Sequence, residues 1–87
     1  MEKSKTMAMI KLLPALQYVF PEIKNAFYWI DQDTKEEFVT VDWTKRELDN
    51  ELGFIFTHEG FFYICVTCDS IAAMYDDVWK ECKRRFS

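Results

Sequence analysis

The sequence predicts a small α+β domain: an antiparallel sheet of about four strands, made of two hairpins, with an N-terminal helix, a short middle helix and a C-terminal amphipathic helix. Three observations lead there. Two pairs of β-branched and aromatic runs are each separated by a short turn-forming link. The final stretch changes from strand-like to helical periodicity. And 87 residues, 49% of them hydrophobic, suffice for one core but not for two domains.

Residues 1–5 read as a mobile polar lead-in without a partner. Thr6 can cap the helix that follows, in which Met7, Ile10, Leu13 and then Leu16 or Gln17 keep a helical spacing. Pro14 has no amide to donate and its ring crowds the preceding turn, so two short helical pieces are expected, with Pro14 opening the second. Pro21 disfavours helix at Phe20 and points to a turn over residues 22–25. Residues 26–31 and 38–43 read as strands joined by a polar link, the second alternating Val39, Val41 and Trp43 against Phe38, Thr40 and Asp42. Thr44 and Glu47 have the spacing of a capping box, which predicts a short helix through Leu48 and Leu52 that stops at Gly53.

Residues 54–57 and 61–67 read as the second hairpin, with Gly60 supplying a positive φ in its turn. Along 61–67, Phe62, Ile64 and Val66 alternate with Phe61, Tyr63 and Cys65, so both sides of the strand carry apolar groups. An antiparallel sheet with one wetted face alternates more cleanly, so either helices cover both faces or another molecule covers one. Asp69 or Ser70 then caps a helix whose Ile71, Tyr75, Val78, Trp79, Cys82 and Phe86 share one stripe. Lys83, Arg84 and Arg85 lie at its far end, where unsatisfied carbonyls favour cations.

The net charge is −4, and it is local: residues 22–60 carry a net −6. A general nucleic-acid binder rests on a basic footprint, so direct nucleic-acid binding is not expected. Three cysteines without the spacing of a disulfide scaffold point to a reducing, cytoplasmic setting. The apolar run 12–20 contains Pro14 and Gln17 and lacks a small-residue cleavage site, which disfavours export. The longest uncharged runs fall far short of the ~18 residues that span a bilayer, so no membrane partner is expected.

Cys65 and Cys68 have the C-x-x-C spacing of a redox or metal pair at a strand-to-helix junction, and Cys82 and His58 could complete four zinc ligands. Against this, Cys82 lies on the apolar helix stripe and His58 in a distant turn. The plainer reading makes Cys65 and Cys82 small core residues and His58 a solvated turn residue. Two glycines cannot build a phosphate-binding loop, and no cofactor is expected. The acids Asp31, Asp33, Glu36, Glu37 and Asp42 gather around the first hairpin, either as a solvated face or as a docking surface for a basic partner. Eight Phe, three Trp and four Tyr exceed what a small core comfortably buries, and Tyr28 and Trp29, beside the acidic loop, are the candidates for exposure.

These observations point to a non-enzymatic protein-interaction module, in its most specific form a small acidic inhibitor of the phage or immunity type that blocks a basic surface on a protein partner. Tyr28, Trp29, Asp31, Asp33, Glu36, Glu37 and Asp42 are its expected contacts. The alternatives are a small metal or thiol-redox protein using Cys65 and Cys68, and a domain that self-associates with a second copy.

Overall fold

A computed structural model describes residues 2–67 and 69–86. In chain order the elements are α1 (Glu2–Val19), β1 (Ile23–Ile30), β2 (Glu37–Asp49), β3 (Phe54–Cys65) and α2 (Ile71–Phe86). Among the described residues the sheet has three strands, an antiparallel meander in the order β1-β2-β3. The expected four strands and middle helix are thereby corrected: residues 44–49 continue β2, and the two runs either side of Gly60 are one strand.

The ladder overrides the capping box. From Thr44 to Asp49 each residue of β2 pairs with one of β3, from Glu59 to Phe54. Asp49 then turns the chain, its Oδ1 accepting from the amides of Glu51 and Leu52 at 2.9 Å each. Gly53, at φ 75°, donates its amide to the Asp49 carbonyl at 2.8 Å. It serves the left-handed position of a hairpin loop, not the end of a helix. Gly60, expected in a turn, instead sits inside β3 opposite Trp43. Its reason is room: a Cβ there would lie 2.5 Å from Cζ2 of Trp43, whose indole crosses the glycine.

α1 is one helix through Pro14. Pro14 is exposed, and Ile10, whose carbonyl would otherwise accept the missing amide, is also on the open side at 59% exposure. The buried stripe is Lys5, Ala8, Met9, Leu12 and Leu16; of the expected Met7, Ile10, Leu13 and Leu16 or Gln17, Leu16 is buried and Leu13 packs against the core, whereas Met7 and Ile10 are exposed. Residues 2–5, expected as a free lead-in, form the first turn, and Lys5 is 1% exposed with its Nζ 2.7 Å from Glu37 Oε1.

α2 follows the sequence reading. Ser70 caps it, its Oγ accepting from the Ala73 amide at 3.3 Å. Met74, Val78 and Cys82 are buried, with Ile71, Tyr75, Trp79 and Phe86 packed against the core. The core lies between the helices and one sheet face, made of Ala26 and Tyr28 from β1, Val39 and Val41 from β2, and Phe62 and Ile64 from β3. The Tyr75 hydroxyl donates to the Ala8 carbonyl at 2.9 Å, tying α2 to α1.

Candidate functional site

Because side chains alternate along a strand, the face away from the helices carries the other half of the meander. Its cross-strand rows are Trp29–Phe38–Cys65, Phe27–Thr40–Tyr63 and Asn25–Asp42–Phe61. Among the described residues no element covers it: Phe27, Phe61 and Tyr63 are 42%, 61% and 56% exposed. The rings organise one another. Trp29 stacks on Phe38 at 4.8 Å and meets Tyr63 edge-on at 6.0 Å, and Tyr63 lies 5.4 Å from Phe61.

Thr40, at the centre, is buried by these rings, and its Oγ1 accepts from the Trp29 indole Nε1 at 2.6 Å, which fixes the indole on the face. Phe27, Trp29, Thr40, Asp42, Phe61 and Tyr63 line a shallow depression of about 290 Å³.

Of the expected contact residues, only Trp29 and Asp42 stand on this surface. Tyr28, expected exposed, is buried on the core side, and its hydroxyl donates to the Glu37 carboxylate. Hydrogen bonds from Lys5 and then Tyr28 hold the Glu37 carboxyl below the usual carboxylate range. Glu37 therefore anchors α1 to the sheet. Asp31 orders its loop, its Oδ1 accepting from the amides of Asp33 and Thr34 at 2.8 and 3.1 Å. Those backbone bonds, Thr34 first and Asp33 next, lower its pKa. Asp33 and Glu36 are exposed at the end of the hairpin.

The alternative ligand set is not brought together. Cys65 is exposed on the aromatic face, whereas Cys82 is fully buried in the core, where desolvation pushes its thiol up to about 11. His58 lies on the extended part of β3, its Nε2 3.6 Å from Glu47. Cys68 lies outside the described residues. Among the described residues no group of His, Cys, Asp and Glu is arranged to hold a metal ion, and no helix is long and apolar enough to cross a membrane.

A second exposed surface was hidden from sequence reasoning by the helix expected over it. Past the end of β1, β2 and β3 project as a two-stranded arm bearing exposed Leu48, Leu52, Phe54, Ile55 and Phe56. The open sheet face did leave a trace in the sequence, namely the apolar character of both sides of 61–65.

No protein-family model matches this chain, no curated protein is detectably similar to it, and no solved structure matches it.

Proposed function

We propose that this chain is a non-enzymatic protein-interaction module that docks a basic surface of a protein partner on its open aromatic face, in the manner of a small acidic inhibitor. The observation that carries this reading is the sheet face bearing Phe27, Trp29, Phe38, Phe61 and Tyr63 with both helices on the opposite side. Contiguous exposed apolar surface is uncommon on a solitary soluble domain, and aromatic rings are the side chains that anchor protein interfaces. The charge of −4, with exposed Asp33 and Glu36 at one end of the face and Asp42 upon it, favours a basic partner over an acidic one.

The test is capture from a lysate of the native host at low and then moderate salt. The wild-type chain should capture a partner that is released as salt rises. A Trp29→Ala/Tyr63→Ala variant should lose it, whereas Ile10→Ser, on the outer side of α1, should retain it. Equal capture by all three chains overturns the reading.

A second reading, self-association, draws on the arm, since an isolated two-stranded ribbon with exposed Leu48, Phe54, Ile55 and Phe56 gains from being covered. Light scattering of the wild type beside an Ile55→Ser/Phe56→Ser variant tests it: a dimer that the variant loses supports this reading, and a monomeric wild type removes it.

A further inference from the structure

Among the described residues, Asp42 is the charged group lining the depression on the aromatic face, and its carboxylate forms no hydrogen bond or ion pair of its own; Lys24 and Glu59 line the neighbouring depression with it and pair with each other at 3.7 Å. Asp42 is half-buried on β2, between Asn25 of β1 and Phe61 of β3. Among the described residues the cations near carboxylates are engaged elsewhere: Lys5 with Glu37, Lys24 with Glu59, Lys45 with Glu47, Lys80 with Asp76, and Arg84 and Arg85 with Glu81. A carboxylate without a bonded partner on an apolar face is open to pairing with a cation brought by another molecule.

The surroundings of Asp42 specify the compensating group. Phe27, Trp29, Phe61 and Tyr63 line the same depression, and the electron-rich faces of such rings attract cations. Trp29 is held by its bond to Thr40 and by stacking on Phe38, so the site is ordered before anything binds. A planar guanidinium satisfies both features at once, lying against a ring while donating two parallel hydrogen bonds to a carboxylate. An ammonium offers a compact, strongly hydrated charge, and a quaternary ammonium has no donor for the carboxylate.

We infer that the depression around Asp42 receives an arginine side chain of the protein partner, with the guanidinium paired to Asp42 and packed against the rings of Trp29 and Tyr63. This rests on the interaction-module reading and names the group that the module recognises.

The experiment is a nuclear magnetic resonance titration of the full chain with the blocked peptide acetyl-Gly-Arg-Gly-amide and with versions carrying citrulline, lysine or trimethyl-lysine at the centre. The arginine peptide should saturably shift the Trp29 indole N–H and the amides of Thr40, Asp42 and Tyr63. Citrulline, which keeps the shape and loses the charge, should bind about tenfold or more weakly, and Asp42→Asn should weaken the arginine peptide by a similar factor.

Equal binding of arginine and citrulline overturns the inference, as does a preference for either lysine form, an unchanged Asp42→Asn, or no saturable shift up to about 50 mM peptide. Occupation of the face by a second copy, seen as line broadening and concentration-dependent shifts at the same amides, also overturns it. If the peptides fail while Trp29→Ala/Tyr63→Ala still abolishes partner capture, the arginine assignment falls and the module stands; if capture is also unaffected, both fall.

Discussion

Lys5 and Gly60 are the two residues whose chemistry is most tightly prescribed by their surroundings. Lys5 is buried and shares the Glu37 carboxylate with the Tyr28 hydroxyl, so removing the ammonium leaves that carboxylate partly shielded and under-compensated. Lys5→Met should therefore lose roughly 2 kcal/mol at neutral pH, measured by urea unfolding. The sign of the pH dependence follows from the lowered Glu37 pKa. The wild-type advantage is fully present above the ordinary carboxylate value and disappears as pH falls through the lower folded value, so the two chains should converge in acid, below the ordinary carboxylate range. At Gly60 a methyl group would collide with the Trp43 indole, and Gly60→Ala should cost about 1–3 kcal/mol as the ring is displaced. An unchanged unfolding midpoint for Gly60→Ala would mean that the indole has another position of equal energy.

Among the elements, α2 and the arm make opposite demands. α2 depends on its ends and on one stripe: Ser70→Ala should lower stability by about 1 kcal/mol through loss of the cap, a change readable by thermal unfolding. The arm contributes none of the buried core residues. Replacing residues 46–57 by an Asn-Gly turn should therefore leave the fold intact and move the unfolding temperature by less than about 5 °C.

The same contrast explains what was legible in the sequence. α2 was readable end to end because its apolar residues recur on one stripe and Ser70 stands before it. The stripe of α1 was misplaced in part, at Met7 and Ile10, because apolar residues surround that helix on nearly all sides, and only the sheet decides that Met9 and Leu12 join Leu16 in facing inward while Met7 and Ile10 face out. Residues 44–49 carry a valid local signal for helix initiation, and cross-strand pairing with residues 54–59, a non-local term, overrides it. The two-sided apolar pattern of 61–67 left two outcomes open, helices on both faces or one face free for another molecule, and among the described residues both helices lie on one face. The acidic loop drew attention to Tyr28 and Glu37, whose true role is to bind α1, because sequence gives proximity along the chain and not the side of the sheet.

Taken whole, the molecule is a one-sided sandwich with its core under two helices and its aromatic face open, elongated to 50 × 27 × 19 Å. The buried hydrophobic cluster lies on the helical side, so substitutions of exposed rings on the open side should have little effect on stability. Phe61→Ser/Tyr63→Ser should shift unfolding by no more than about 1 kcal/mol while raising the concentration at which the protein stays in solution. Global unfolding of that variant at room temperature would show that these rings belong to the structural core.

The contact between Trp43 and Gly60 has a geometric consequence. The aromatic face and the apolar arm tip are separate surfaces, and the Trp43 indole crosses Gly60 of the strand pair at their junction, placed as a strut between them. For any molecule that touched both, the spacing would act as a fixed gauge: contact points that matched would gain from engaging the second at high effective concentration, and points that did not match would gain nothing. Loosening that strut weakens such a two-point grip while leaving each surface, taken singly, as it was.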